Sequence, residues 1–169
     1  MTAVAGSVFT AAQFNTYVRD NLNETAPAKA TAAGQIFVSV AANSIAARTT
    51  ATALVATVET TTSTTYADLT TPGPAVTVTS GTQALVAIGC SSSNTVSSAA
   101  LMSVAVSGAT TIAATDGLSV GVVGTQGSRQ SYFALYTGLT AGSNTFTGKY
   151  KVGAGTGTFA DRRIVVIPL

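Results

Sequence analysis

The sequence predicts a mainly β protein: an antiparallel β-sandwich of the jelly-roll type, preceded by a short N-terminal α-helix and an extended arm. Three observations predict it. Only 8% of the 169 residues are charged, so the polar surface must be built largely from Ser and Thr, and Thr and Val favour strands. Eight apolar runs of strand length alternate with Gly, Pro, Asn and Asp turns. One segment near the N-terminus has helical spacing instead.

The helix is predicted to begin after Thr10. Thr10 and Gln13 have the spacing of a capping box, and Phe9 and Phe14 have that of a hydrophobic staple. Asn residues near position 22 and a proline at position 27 are expected to end the helix. The apolar residues at spacings of three and four share one face; they are Ala11, Phe14, Val18 and Leu22.

The apolar stripe of this helix needs a partner surface. An isolated helix of about twelve residues is marginally stable in water, so its apolar face must dock on the rest of the chain or on a neighbouring molecule. Residues 26–34 are small and include a proline and a glycine, which predicts a linker between the helix and the β-rich body. A linker at this place favours docking on a neighbour.

The linker is followed by an arm and then by the body of the protein. The pieces QIFVSV and SIAART are predicted to be extended and to be joined by a turn at residues 41–44. We therefore divide the chain into an N-terminal helix, linker and arm at 1–49 and a β-sandwich at 50–169. An immunoglobulin-like sandwich is the alternative to the jelly roll. The eight predicted strands are 53–59, 75–79, 84–90, 100–107, 118–123, 131–137, 144–152 and 158–167.

Alternation within the strands predicts which side chains form the core. In NTFTGKYKV, Phe146, Tyr150 and Val152 share one face, while the threonines and lysines share the other. The six aromatic residues of the last three strands are explained best as core residues, because the chain has no tryptophan and two of the six lie on this inner face. A carbohydrate-binding face built from exposed tyrosines is the alternative.

No set of residues in the sequence predicts catalysis. The chain has no histidine, which removes the commonest general base and the commonest transition-metal ligand. Asp68, Asp116 and Asp161 lie in or beside predicted turns, where aspartate is a usual residue, and no carboxylates are spaced as calcium ligands. The single cysteine, Cys90, ends an apolar run and is predicted to be a buried small side chain. We therefore expect no enzyme activity, no catalytic residue, no cofactor and no metal.

The charge pattern argues against two further classes of partner. The net charge is +2, but the eight basic residues are scattered along the chain, whereas nucleic-acid binding needs clustered Lys and Arg. No apolar run reaches the length of about 18 to 20 residues that spans a membrane, and the first residues lack a secretory signal pattern. We expect neither a nucleic-acid nor a membrane partner, and synthesis in the cytoplasm of a bacterial host.

The N-terminal segment resembles a known group of proteins. FTAAQFNTYVRDNLNETAPAKATAAGQIFVSVAANSIAART is similar to the N-terminal segment of virion proteins of actinobacterial tailed phages and prophages, in which a TAAxxNTYVRDNL helix precedes a GxIFVxxxANxIAxR piece. The similarity covers about residues 7–49, and the body is similar in TTSTTYADLTTPGPAVTVTSGTQALV, YTGLTAGSNTFTGKYKV and RRIVVIPL. The most specific positions are Asn15, Thr16, Val18, Arg19, Asp20, Asn21 and Leu22.

The resemblance implies a structural component of a phage particle. Such relatives are minor tail proteins, and small β-sandwich subunits also decorate capsids, so both locations on the virion surface stay open. The expected partners are other virion proteins, of the tail or the major capsid protein. The GxIFVxxxANxIA piece is similar to the β-stalks of trimeric phage fibres and implies a homotrimer. A carbohydrate-binding adhesion module at the tail tip, in contact with the host cell surface, is the alternative function.

Together, the apolar stripe and the resemblance assign the docking residues. We expect these side chains to contact the particle or a neighbouring protomer, while the sandwich is displayed outward. The predicted docking residues are Phe9, Phe14, Val18, Arg19, Leu22, Ile36 and Phe37.

Overall fold

A computed structural model describes residues 8, 10–23 and 25–169 of the chain. The chain divides into two compact units at residues 48 and 49. In the first unit lie the helical segment and a two-stranded sheet, and in the second lie the remaining strands. No helix among the described residues is long and apolar enough to cross a membrane.

The N-terminal helix covers residues 11–23 in three parts. Ala11–Phe14 and Asp20–Asn23 are α-helical, and Asn15–Arg19 between them is a π-helical turn. The predicted capping box is present: the Thr10 hydroxyl accepts a hydrogen bond from the Gln13 backbone N–H at 3.2 Å, and Gln13 Oε1 accepts one from the Thr10 N–H at 3.0 Å. The staple residue Phe9 lies outside the described residues.

The predicted linker is partly helical. Residues Ala26–Lys29 form one further helical turn, within the stretch 26–34 that is predicted to be a linker. Proline is tolerated in the first turn of a helix because its missing N–H would have no intrahelical partner there. Pro27 is therefore compatible with this turn, and the linker prediction is wrong for residues 26–29.

Eleven strands are present in the described part of the chain, and each sheet is antiparallel where its register is defined. Both extended pieces of the arm are strands, and the turn between them contains Asn43 at φ 56°. The strands are β1 Gln35–Ala41, β2 Ser44–Thr49, β3 Ala51–Val55, β4 Glu59–Thr61, β5 Ala75–Ser80, β6 Gln83–Asn94, β7 Ala99–Gly108, β8 Val120–Val123, β9 Ser128–Thr137, β10 Gly142–Val152 and β11 Gly157–Pro168.

The body is a jelly roll. Its strands pair as nested antiparallel partners: β3 and β4 with β11, β5 with β10, β6 with β9, and β7 with β8. The pairs β10–β7 and β11–β6 join them into two sheets, β5-β10-β7-β8 and β3-β11-β6-β9, with β4 also on β11. This is the double Greek-key sandwich of a jelly roll; the immunoglobulin alternative has a different strand order. The predicted mainly β sandwich with a short N-terminal helix is confirmed.

One core lies between the two sheets. The predicted inner residues Phe146, Tyr150 and Val152 of β10 are all buried. Aromatic contacts join the sheets: Phe146 meets Tyr136 of β9 edge-on at 5.9 Å between ring centroids, and Tyr150 meets Phe159 of β11 at 5.0 Å. Aliphatic side chains of every long strand fill the space around these rings.

Candidate docking surfaces

The N-terminal helix exposes its apolar side chains. None of its residues is buried; Phe14 is 49% exposed and Leu22 60% exposed. In a regular α-helix, residues spaced four apart shift progressively around the helix axis. A π-helical turn contains more residues per turn, which offsets this shift. Phe14, Val18 and Leu22 therefore stay close to one face. Arg19 lies on the exposed surface and forms an ion pair with its neighbour Asp20 at 2.8 Å.

The other two predicted docking residues lie on the hairpin. Ile36 and Phe37 are consecutive in β1, so their side chains point to opposite faces of the strand. Ile36 is half-buried, and Phe37 is exposed, as is Val40 further along the strand. One flat partner can contact only one of these faces, so the adjacent pair cannot act as a single docking patch.

The sandwich carries a second apolar surface, which the sequence reasoning missed. It consists of two neighbouring apolar rows, with Leu54 beside them, on the outward side of sheet β3-β11-β6-β9, and is here called the outer apolar face. Cross-strand register places Val165, Ala87 and Phe133 in one row and Ile167, Leu85 and Leu135 in the next. Leu54 of β3 lies beside this area, opposite Arg163. Phe133 is 70% exposed, and Leu135, Leu54 and Val165 are 49%, 50% and 39% exposed.

The expectation that the aromatic residues of the last strands are all core residues was wrong for β9. Tyr136 is buried, but Phe133 points outward and Tyr132 is partly exposed. The cause is visible in the sequence SYFAL, where aromatic and aliphatic residues follow one another and therefore occupy both faces of the strand. A strand that is apolar on both faces is typical of a sheet covered on both sides.

The outward side of the other sheet is polar along β5 and β10. Thr77 of β5 and Thr145 of β10 bond through their hydroxyls at 2.8 Å, and Lys149 and Lys151 of β10 extend over the sheet. A groove of about 550 Å³ lies on this side. It is lined by Thr64, Thr65, Tyr66, Ala105, Ala113, Ala114, Thr115, Asp116, Lys149 and Lys151.

The charges of this groove are paired. Lys149 Nζ lies 2.6 Å from Asp68 and Lys151 Nζ 2.7 Å from Asp116, and Lys151 also lies over the Tyr66 ring at 5.2 Å. The hydrogen bond from Lys151 holds the pKa of Asp116 below its usual value. The groove therefore presents hydroxyl, ammonium and carboxylate groups without a net field that would select an anion or a cation.

The aspartates that were assigned to turns have a second role as ion-pair partners. Asp161 accepts a hydrogen bond from Arg129 at 2.6 Å, and Asp68 and Asp116 accept from the two groove lysines. These ion pairs could not be predicted from the sequence, because their members lie 32 to 81 positions apart. Within the described residues no group of three or more Cys, Asp or Glu side chains could hold a metal ion.

The buried thiol matches its prediction. Cys90 is 1% exposed, and burial raises the pKa of its thiol to about 11. The protonated thiol is a poor nucleophile at neutral pH, so Cys90 acts as a small core side chain.

These features define the class of the molecule: a jelly-roll domain with an apolar outward sheet face, preceded by a helix and a hairpin that also expose apolar residues. No protein-family model matches the sequence. No curated protein matches it either.

Solved structures share parts of the architecture at low similarity. One is the enzymatically active domain of bacteriophage CBA120 tailspike protein 4, with a TM-score of 0.37 and 13% identity over 70% of this chain. A structure of infectious bursal disease virus Gx strain has a TM-score of 0.37 and 9% identity over 77% of this chain. An arabinose-bound α-L-arabinofuranosidase has a TM-score of 0.36 and 16% identity over 85% of this chain. This chain spans 19%, 37% and 24% of those chains, respectively. At these scores the likenesses carry no argument about function.

Proposed function

We propose that the protein is a non-enzymatic structural component of a bacteriophage virion, whose N-terminal segment docks on the particle and whose jelly roll is displayed outward. The observation that carries the proposal is the exposed apolar side of the N-terminal helix. No residue of the described helix is buried, whereas helices in proteins are stabilised mainly by burial of an apolar face. Docking on a second surface supplies that packing.

The resemblance of residues 7–49 to phage virion proteins supports the particle as that surface. The low charge of the chain also suits dense assembly, because little like-charge repulsion opposes the close approach of copies. Within this proposal the chain is a homotrimer on the virion surface. A minor tail position is favoured over capsid decoration by the same resemblance.

Particle incorporation tests the docking role. We expect Val18→Asp/Leu22→Asp to abolish incorporation into particles of a phage that lacks its own copy of the gene, because two carboxylates cannot be buried against an apolar surface. Ala12→Asp/Thr16→Asp adds the same charge to exposed positions of the same helix and should leave incorporation unchanged. Normal incorporation of the first variant, measured by immunoblot of purified particles, would refute the docking role.

Copy number separates the two locations. Quantitative mass spectrometry of purified virions should find few copies per particle for a tail protein. Hundreds of copies would contradict the tail location and support capsid decoration.

A carbohydrate-binding function is the second candidate, and the groove on sheet β5-β10-β7-β8 favours it. Its charges are neutralised in pairs, its walls are alanines and threonines, and Tyr66 lies at its side. Such a lining suits an uncharged polyhydroxyl ligand, which needs many hydrogen-bond partners and one apolar surface. Binding of the full chain to host cell-wall glycans that is lost in Lys151→Ala and Thr115→Ala would support this candidate, and absence of binding by the wild-type chain would refute it.

A further inference from the structure

The two outward sheet faces of the jelly roll differ in chemistry, although they belong to one small domain. On β5 and β10 the outward positions are mostly threonine and lysine, as on a sheet face in water, whereas β7 and β8 present mainly small or aliphatic side chains, including the exposed Val123. On β3-β11-β6-β9 the corresponding positions form the outer apolar face. Isolated exposed apolar residues are ordinary, but contiguous apolar patches mark interaction sites. The contiguous apolar rows of β11, β6 and β9 therefore indicate an interaction surface.

The edge of the same sheet is also open to pairing. β9 is ten residues long and, among the described strands, is hydrogen-bonded only to β6. Proteins usually protect such an edge with lysines, prolines or bulges. β9 contains no proline, and Arg129, its one charged residue, is at its beginning and is paired with Asp161. The outward Phe133 and Leu135 continue the outer apolar face to this edge.

The apolar rows have the size of a functional surface patch. Four strands at a spacing of about 4.8 Å, followed over about five residues at about 3.4 Å each, give a projected area of roughly 300 Å². Contiguous exposed apolar patches of a few hundred Å² on a single chain are often functional.

The low charge of the outer apolar face favours a second copy of the chain as its partner. Arg129 is neutralised by Asp161, and Arg163 is the one further charged side chain of the outward rows. A strongly acidic or basic partner would find almost no complementary charge here. The face instead requires a partner surface that is apolar, nearly uncharged and of equal size, and a second copy of the chain presents such a surface.

We propose that the outer apolar face, centred on Phe133 and Val165, is the interface between copies of this chain. The inference goes beyond the proposed virion function and does not depend on it, because the face lies in the second unit of the chain and uses none of the N-terminal docking residues.

Analytical ultracentrifugation of the full chain over a range of concentrations tests the interface. We expect the wild-type chain to associate into a closed oligomer and Phe133→Lys/Val165→Lys to raise the dissociation constant by about 100-fold or more, as loss of two central apolar contacts implies. Ala75→Lys/Thr79→Lys places the same charges on the outward face of the other sheet, where both positions are exposed, and should associate like the wild type.

Three results would overturn the proposal: a wild-type chain that stays monomeric at high micromolar concentration, a face variant that associates as well as the wild type, or equal weakening by the control variant. If the face variant does not fold, hydrogen exchange of the wild-type chain replaces it. Amides of β9 should then exchange more slowly at high than at low protein concentration, and concentration-independent exchange would contradict the interface. Particle incorporation of the N-terminal variants is a separate measurement, so failure of the interface and failure of the virion function are distinguishable.

Discussion

At the scale of single residues, the most unusual feature is a buried guanidinium group. Arg162 is 0% exposed; a bulge with Asp161 at φ 48° shifts the register of β11 and turns Arg162 inward. Its nitrogens donate to the carbonyl oxygens of Thr71 and Thr57 at 3.2 and 3.3 Å, and Glu59 lies 3.4 Å away. The side chain therefore connects β11 to the segments that precede β4 and β5.

The carboxylate in this cluster should make stability depend on pH. The Thr71 hydroxyl donates to Glu59 at 2.6 Å, and this bond, followed by the Thr71 N–H and Arg162, lowers the pKa of Glu59 from its usual 4.5. A group whose pKa is lowered by folding stabilises the protein above its unfolded pKa, and this contribution is lost as the pH falls through the folded pKa. We expect urea-unfolding free energies of Glu59→Gln to fall less steeply below about pH 4.5 than those of the wild type.

Two neighbouring threonines supply the control for this prediction. Thr71→Val removes the hydroxyl donor and should also flatten the pH dependence, although less than Glu59→Gln does. Thr70→Val changes an exposed position with no hydrogen bond to Glu59 and should follow the wild-type curve. Identical acid dependence in all four proteins would contradict the role assigned to Glu59.

Asn144 gives a prediction about a buried amide. It is 0% exposed; its amide nitrogen donates to Ser80 Oγ at 2.9 Å and to the Thr140 carbonyl at 3.0 Å, and its oxygen accepts from the Thr110 N–H at 2.9 Å. Asn144→Ala leaves these groups without their partner inside the protein, so we expect a loss of about 1–3 kcal/mol in unfolding free energy. Thr79→Ala, at an exposed outward position, should change it by less than about 0.5 kcal/mol. Equal denaturation curves for the two variants would be inconsistent with this role.

At the scale of elements, the approach of β8 to β7 depends on one glycine. A Cβ atom on Gly121 would overlap the carbonyl oxygen of Ala100, so any side chain there must push the two strands apart. We expect Gly121→Ala to destabilise the protein by about 1–3 kcal/mol, measured by chemical denaturation. Gly117 has open space around its Cβ position and no positive φ, so Gly117→Ala is the matched control. An equal effect of both substitutions would refute the close-packing explanation.

Individual elements also show how far the sequence predicts the structure. Alternation in β10 assigned its inner residues correctly, because polar and apolar side chains there alternate strictly. The predicted strand 53–59 is instead two strands, β3 and β4. The outer apolar face was missed because consecutive apolar residues, as in β6, β9 and β11, indicate a strand but not which of its faces is covered. The bulge that buries Arg162 has no signal in local composition.

At the scale of the whole molecule, the two units differ in what holds them together. All the buried hydrophobic side chains of the described core lie between Leu69 and Val166, in the second unit. The helix of the first unit has no buried residue, and β1 and β2 have none either. Burial of apolar surface is the main favourable term in folding, so the jelly roll contains the surfaces that stabilise it, whereas the helix and hairpin expose theirs.

This difference leads to a prediction for the isolated jelly roll. A chain that begins at residue 50 keeps β3 to β11 and the entire described core, so it should fold with the far-UV circular dichroism of a β protein and unfold cooperatively. We expect its melting temperature to lie within about 4 °C of the full chain, equivalent to about 1–2 kcal/mol, when both are measured at equal molar concentration and at one pH. A truncated chain without a cooperative transition would contradict the independence of the jelly roll. A full-length Phe146→Ala variant, which removes a fully buried ring from the same core, should by contrast lose about 3–5 kcal/mol and thus shows the size of effect that loss of core packing produces.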